Sequence, residues 1–219
     1  MKLSEHTQSV LKNFATINQN LVIKKGKTLM TMSAMKNIIA KAEVEEEFTQ
    51  DVPIYNLNEF LASLSLFDSP TLDFQDKYLT MTEGNRRIKY FYSDPSVVTS
   101  PKSMLKMPSK EVTFKMSGGE LSDIKRAAAV IGVPDMVLEK NSNGTFLNAL
   151  DKKNGAANVY STDINTDGDG KFKFYFKVDN LKLMDGDWDV EISSKNISRF
   201  VSKNIEYCIA LEPESTYTV

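Results

Sequence analysis

The amino-acid sequence predicts an α+β protein of two similar domains, each with a mainly antiparallel sheet and two helices. Each half reads as a helix, three strands, a strand that leads into a helix, and closing strands. A stretch rich in Pro and Ser, residues 93–110, separates the halves and is typical of an extended linker. We therefore predict one domain at 1–92 and a second at 111–219.

The first domain opens with a helix that Ser4 caps and whose apolar residues recur at helical spacing. Gly26 separates two strand-like runs and predicts a tight hairpin between them. Asn56, followed by Glu59, predicts the start of a second helix. The predicted strands are Leu21–Lys25, Lys27–Ser33, Ile38–Phe48, Val52–Tyr55, Thr71–Gln75, Tyr78–Thr82 and Arg87–Tyr92.

The second domain repeats this order. Ser117 and Glu120 form a capping-box sequence that starts a helix, and Gly132 with Pro134 ends it. A short second helix is predicted at Asp179–Met184, and the residues after the last strand are expected to fray. The predicted strands are Glu111–Met116, Met136–Lys140, Thr145–Leu150, Ala156–Ile164, Lys171–Val178, Trp188–Ser193 and Asn204–Leu211.

The counts of His and Cys exclude several kinds of site. The 219 residues include one His (His6) and one Cys (Cys208), which form neither an intramolecular disulfide nor a Cys/His zinc site. His6 lies close to the N-terminus, a poor position for a catalytic base. We therefore expect no catalytic residue, no metal and no cofactor. Without an apolar leader or a long apolar run, a soluble cytoplasmic protein is expected.

Two acidic motifs have a functional and an ordinary interpretation. Asp163–Gly170 matches the first half of an EF-hand loop, but the twelfth position holds Phe174 where that loop needs Glu. A polar turn between two strands is the better interpretation. The alternating carboxylates of Asp185–Glu191 favour a solvated strand face, because a glycosidase-like pair would need a cleft.

The charges are unevenly distributed along the chain, although the net charge is only −2. Residues 1–110 hold 14 basic and 12 acidic residues, whereas residues 111–219 hold 13 and 17. The acidic residues crowd predicted strands and turns, and the outer faces of the helices are comparatively basic. If all helices line one surface, that surface is positive on a protein of negative total charge. The basic residues on predicted helices are Lys12, Lys125, Arg126 and Lys182.

Four blocks of sequence stand out in order along the chain: Met1–Ser4 with Leu11–Asn18, Ile54–Leu61, Ser93–Val98 and Ile209–Thr216. These blocks are similar to the sliding clamps of T-even-type bacteriophages. The first and last blocks are the most specific, and residues 133–170 resemble the family least.

This resemblance implies a DNA-clamp fold assembled as a ring-shaped homotrimer, with helices lining the hole and sheets outside. It implies a non-catalytic tether that encircles double-stranded DNA without sequence preference and holds the phage replicative DNA polymerase. An ATP-driven clamp loader and late-transcription factors are the other implied partners, in the cytoplasm of the infected bacterial host. Lys12, Lys125, Arg126 and Lys182 are then the candidates for facing the DNA.

The resemblance also implies where subunits and partners meet. By analogy with other clamps, the strand Arg87–Tyr92 meets the strand near Ala157–Asp163 of the next subunit. The candidate interface residues are Arg87, Ile88, Tyr90, Phe91, Val159 and Tyr160. The candidate partner-peptide groove, which we expect on the second domain, is bounded by Met104, Leu105, Leu211, Pro213 and Val219.

Two alternatives stay open at this stage. A non-catalytic viral α+β adaptor that binds proteins through its sheet edges predicts monomers or dimers and no effect on polymerase processivity. An enzyme that uses the carboxylates at 185–191 predicts that Asp187 and Asp189 are essential.

Overall fold

The chain folds as two α+β units, Met1–Met104 and Leu105–Val219, and the division between them falls inside the predicted linker. A computed structural model describes all residues from 1 to 219. None of the helices has the length and apolar character that a transmembrane helix requires.

The first unit contains two helices and seven strands, close to the predicted positions. Its helices are α1 (Glu5–Ile17) and α2 (Leu57–Leu64). Its strands are β1 (Leu21–Ile23), β2 (Gly26–Met32), β3 (Ile38–Phe48), β4 (Val52–Ile54), β5 (Thr71–Phe74), β6 (Tyr78–Glu83) and β7 (Arg86–Phe91). A 3-10 turn, Pro95–Val97, follows them.

Strand pairing in this unit is antiparallel, but the hairpin predicted at Gly26 is wrong. β1 pairs with β4, with Leu21 opposite Ile54, and β2 pairs with β3. All residues of β1 and β4 are buried, whereas β2 alternates between buried and more exposed residues. The pairing thus joins two strands that are buried at every residue, and the nearby glycine does not reveal this choice. β5, β6 and β7 form a three-stranded sheet.

The N-terminus of α1 is fixed by one residue of β3. The Ser4 side chain accepts a hydrogen bond from the Thr7 backbone N–H at 3.2 Å, as its predicted cap role requires. The Glu46 carboxylate accepts two further hydrogen bonds, from the Ser4 backbone N–H and the Thr7 hydroxyl. Burial raises the pKa of Glu46, but these hydrogen bonds outweigh it and the net pKa lies below its usual value.

The second unit contains one helix and nine strands. Its helix is α3 (Gly118–Ile131), and a 3-10 turn covers Val178–Asn180. Its strands are β8 (Val112–Met116), β9 (Asp135–Asn141), β10 (Gly144–Leu150), β11 (Tyr160–Asp163), β12 (Lys171–Lys177), β13 (Trp188–Ser193), β14 (Ile197–Val201), β15 (Ile205–Ala210) and β16 (Thr216–Thr218).

Two sets of antiparallel strands make up this unit. One set runs in the order β8-β13-β14-β15. The other is a five-stranded sheet in the order β11-β10-β9-β12-β16. α3 packs on this second sheet, against β9, β10 and β11. Leu121, Ile124 and Ala128 form its buried stripe.

Three predictions for the second unit are wrong. The α-helix predicted at Asp179–Met184 is only the 3-10 turn Val178–Asn180. Leu181 and Leu183 are both buried, and this spacing of two belongs to extended chain, not to a helix. β14 has no predicted counterpart, and the C-terminal residues expected to fray form β16, which pairs with β12.

Replacing Glu46 by Gln is expected to destabilise the first unit by roughly 1–2 kcal/mol, because a neutral amide is a weaker acceptor for Ser4 and Thr7. Since folding lowers the pKa of Glu46, its contribution is complete above the usual value of 4.5 and is lost as the pH falls through the lowered folded value. Urea unfolding at neutral and acidic pH measures both effects. The exposed neighbour Glu45→Gln is the control, and equal stabilities for the two variants would contradict this role.

Candidate nucleic-acid interface and assembly surfaces

The helix α1 presents a polar face to solvent. Val10, Leu11 and Phe14 are completely buried beneath it. The exposed residues are those predicted for the opposite face, Glu5, Ser9, Lys12 and Thr16. Lys12 therefore lies on an open surface, in the middle of the helix.

The helix α3 has the predicted capping box. The Ser117 hydroxyl accepts a hydrogen bond from the Glu120 backbone N–H at 3.2 Å, and the Glu120 carboxylate accepts one from the Ser117 N–H at 2.7 Å. Lys125 is half-buried and Arg126 is exposed. Arg126 forms an ion pair with Asp123 at 2.6 Å, one helical turn earlier.

The expectation that the outer faces of the helices are basic needs correction. The three helices carry four acidic residues, Glu5, Glu59, Glu120 and Asp123, and three basic ones, Lys12, Lys125 and Arg126. Glu5, Glu59 and Glu120 lie in first turns, where a carboxylate stabilises the helix dipole. The positive charges lie farther along α1 and α3, so charge is segregated along each of these helices and is not in net excess.

The fourth DNA-facing candidate lies outside the helices. Lys182 is half-buried in the extended segment after the 3-10 turn, between the buried residues Leu181 and Leu183. The prediction placed it on a helix that does not form.

The two strands predicted to join subunits are both edge strands. β7 has one neighbour, β6, and β11 has one neighbour, β10. Phe91 on β7 is 63% exposed and Val159, beside β11, is 60% exposed, high values for large apolar side chains. Arg87 is also exposed, whereas Ile88, Tyr90 and Tyr160 are half-buried. The rings of Tyr90 and Phe60 of α2 pack edge-to-face, with their centres 5.4 Å apart. Burial raises the pKa of the Tyr90 hydroxyl to about 12.

The candidate groove residues differ in exposure. Met104 is half-buried at the end of the first unit. In the second unit, Leu105 is 48% exposed, and its carbonyl oxygen lies 4.0 Å from Sγ of Cys208 on β15. Leu211, just after β15, is buried, whereas Pro213 and Val219 are exposed. Cys208 is only 2% exposed, and burial raises the pKa of its thiol to about 11, as expected of a core residue.

A buried lysine, which sequence reasoning missed, anchors the C-terminal segment. The Lys152 side chain is 9% exposed, and its ammonium lies 2.6 Å from Glu212 and 2.5 Å from Glu214. Burial lowers the pKa of Lys152, but its hydrogen bonds with both glutamates outweigh this effect and raise it. Glu212 and Glu214 belong to the block Ile209–Thr216 that resembles the clamp family. This resemblance is the only feature of the sequence that marked them for attention.

The same segment closes around Tyr175 of β12. The Glu212 backbone N–H donates to the Tyr175 carbonyl oxygen at 2.9 Å, and the Tyr175 N–H donates to the Ser215 hydroxyl at 3.0 Å. These contacts lead the chain into β16. The residues Glu212–Ser215 therefore form a fastened turn, with Pro213 on its exposed side.

The acidic motifs have structural partners. The motif at 163–170 spans the end of β11 and the loop to β12, and the backbone of Asp167 exchanges two hydrogen bonds with that of Thr113 on β8. Asp187 accepts a hydrogen bond from the Gly118 N–H at the start of α3, at 2.9 Å. Asp189 lies 3.8 Å from Lys115. No cluster of three or more His, Cys, Asp or Glu side chains is arranged to hold a metal ion.

The fold is that of the PCNA-like clamps. It aligns with Archaeoglobus fulgidus PCNA bound to the C-terminal region of FEN-1, with a TM-score of 0.72, 15% identity and 99% of this chain and 100% of that chain covered. The PCNA2–PCNA3 complex of Sulfolobus tokodaii gives a TM-score of 0.70 at 11% identity, covering 98% of this chain and 100% of that chain. At such identities the likeness defines the fold alone.

Sequence comparison identifies the family. Residues 2–99 match the profile described as DNA polymerase processivity factor, and residues 113–213 match that of the gp45 sliding clamp, C terminal. The sliding clamp of Vibrio phage KVP40 is 34% identical, covering 97% of this chain and 99% of that protein. That of Enterobacteria phage T4 is 27% identical, covering 99% of both. The chain belongs to the family of phage sliding clamps, the processivity factors of DNA polymerase, which confirms the predicted resemblance.

Replacing Lys152 by Ala is expected to loosen the C-terminal segment, because the attachment of Glu212 and Glu214 is lost. Amide hydrogen exchange of Thr216–Thr218 is expected to accelerate roughly tenfold, since the hydrogen bonds of a charged group are lost. The exposed neighbour Lys153→Ala is the control. Unchanged exchange in the Lys152 variant would show that β16 is held by its strand pairing alone.

Proposed function

We propose that the protein assembles as a closed homotrimeric ring that encircles double-stranded DNA and tethers the phage replicative DNA polymerase. The observation that carries this proposal is that the match to phage sliding clamps extends over both units, at 34% identity over 97% of the chain for the KVP40 protein. An ATP-driven clamp loader opens the ring, and late-transcription factors use it after loading. The ring works without a catalytic residue, in the cytoplasm of the infected bacterium.

The ring requires no strong affinity for DNA, since a closed ring retains the duplex topologically. Contacts with phosphates need only be weak, and strong ones would slow sliding. Lys12 and Lys125 supply charges without an ionic partner in their own units, whereas Arg126 is partly neutralised by Asp123. Lys182 contributes from the extended segment near the second unit's 3-10 turn. This arrangement of few charges, one of them partly neutralised, suits a surface along which DNA slides.

Assembly uses the edge strands of the two units. β7 of one subunit meets β11 of the next, head to tail, and three such contacts close the ring. The exposed Phe91 and Val159 become buried there, which explains two large apolar side chains in solvent.

Partner proteins bind the second unit through a short peptide with apolar anchors. Support comes from Leu105, which is 48% exposed, and from Pro213, which lies on the exposed side of the fastened turn. The solved Archaeoglobus fulgidus PCNA likewise binds the C-terminal region of FEN-1. The groove at Leu105, Leu211, Pro213 and Val219 is therefore our proposed polymerase site.

Replacing both Lys125 and Arg126 by Gln is expected to lower processivity and to weaken its dependence on salt, because phosphate contacts are lost on every subunit. A primer-extension assay with the cognate polymerase and loader, run at several salt concentrations, measures this. The control is the Lys27→Gln, Lys203→Gln double variant, which removes the same charge from exposed strand and turn positions. Equal processivity of the two double variants at moderate salt would contradict the DNA-facing role.

Replacing Phe91 by Glu is expected to yield monomers, because a buried carboxylate would face the apolar surface of the next subunit. Light scattering coupled to size exclusion measures the mass. Leu66→Glu is the matched control, since Leu66 is 62% exposed but lies outside the edge strand. A stable trimer of the Phe91 variant would exclude this strand pairing, and a monomeric wild-type protein would exclude the ring and favour the adaptor alternative.

A further inference from the structure

We infer that two copies of this chain join in one antiparallel register of β7 with β11, held by an intersubunit ion pair between Arg87 and Asp163. The inference rests on the proposed ring and adds the register, the ion pair and a dependence of ring closure on salt. The partner that fits this surface is a second copy of the same chain. In this register, Arg87 lies opposite Asp163, Lys89 opposite Ser161, and Phe91 opposite Val159.

The backbone of β7 sets one condition on the register. The Tyr92 N–H donates to the Lys77 carbonyl oxygen at 3.0 Å, so Tyr92 and the alternate residues before it direct their N–H and C=O groups toward β6. Arg87, Lys89 and Phe91 therefore direct theirs to the open edge.

The backbone of β11 sets the matching condition. The Ile164 N–H donates to the Thr145 carbonyl oxygen at 3.1 Å, so Ile164 and the alternate residues before it face β10. Val159, Ser161 and Asp163 face the open edge. An antiparallel ladder forms only when the open-edge residues of both strands lie opposite each other, which excludes every register that is shifted by one residue.

The side chains agree with this pairing. All six open-edge residues, Arg87, Lys89, Phe91, Val159, Ser161 and Asp163, are exposed. Opposite residues in a ladder point to the same face of the sheet. The pairing therefore joins the exposed face of the three-stranded sheet with that of the five-stranded sheet, and the two sheets become continuous.

Chemical complementarity then selects one register among those shifted by two. With Phe91 opposite Val159, two large apolar side chains that are 63% and 60% exposed cover each other. The same register places the guanidinium of Arg87 opposite the carboxylate of Asp163. A shift by two residues in one direction places Phe91 opposite Ser161. A shift by two in the other direction places Val159 opposite Lys89. In both cases the contact between the two apolar side chains is lost.

The two charges are available for this ion pair. Neither Arg87 nor Asp163 has an ionic or hydrogen-bonding partner within its own unit. Lys89 is already engaged, because its ammonium lies 3.7 Å from the ring centre of Tyr78 and 5.0 Å from that of Phe91. Arg87 is therefore the free cation on this edge, and closure of the ring is expected to weaken as salt screens its pairing with Asp163.

A charge swap tests the register. Arg87→Glu and Asp163→Arg are each expected to raise the concentration at half-assembly roughly tenfold or more, because like charges then face each other at each contact. The double variant is expected to recover most of the wild-type assembly. Sedimentation velocity over a range of protein concentrations, at low and high salt, measures these values. Lys27→Glu, an exposed charge reversal in another sheet, is the control.

The outcomes separate this inference from the proposed ring. If wild-type protein forms trimers and the single variants assemble as wild type does, the ion pair is wrong and the ring stands. If Lys89→Glu restores assembly to Asp163→Arg and Arg87→Glu does not, the register is shifted by two residues. If wild-type protein forms no trimer, the proposed ring itself fails. Circular dichroism confirms folding of each variant, which these exposed, unpaired positions permit.

Discussion

Burial of an apolar helix stripe against antiparallel strands, once in each unit, is the constraint on which the rest of the structure depends. α1 buries Val10, Leu11 and Phe14, and α3 buries Leu121, Ile124 and Ala128. Once these stripes face the sheets, the opposite face of each helix must meet solvent. The position of every charged residue on the helices follows from this packing, including Lys12 and Arg126.

Polar contacts between distant residues refine that packing. Glu46 fixes the start of α1 on β3, and Asp187 supports the start of α3 from the loop before β13. Lys152 fastens the C-terminal turn to the second unit. Each of these charged groups gives a hydrogen-bond or ionic partner to a group that would otherwise be unpaired. Each also holds in place an element that the proposed function uses.

The open edges of β7 and β11 connect the fold with the proposed assembly. Edge strands with exposed apolar residues are a liability in a monomer, because they present unpaired backbone groups to any other chain. Here both edges present compatible backbone groups and complementary side chains. A net charge of −2 is no obstacle to the proposed function, because the proposed ring would retain DNA by topology and weak local contacts and would not need overall attraction.

The sequence by itself determined the features that depend on residues within a few positions of each other. The caps Ser4, Asn56 and Ser117, the helix end at Gly132 and the alternation of most strands are of this kind. The resemblance to the clamp family also came from short blocks.

Only the tertiary structure decided which distant surfaces meet. No local periodicity of the sequence marks three of these features. They are the pairing of β1 with β4, the extended conformation at Leu181 and Leu183, and the ion pair between Glu212 and Lys152. The partners Glu46 and Ser4 are 42 residues apart, and Lys152 and Glu212 are 60 apart. Short-range patterns report a residue's own conformation, whereas its partner is selected by the shape and charge of the folded surfaces it meets.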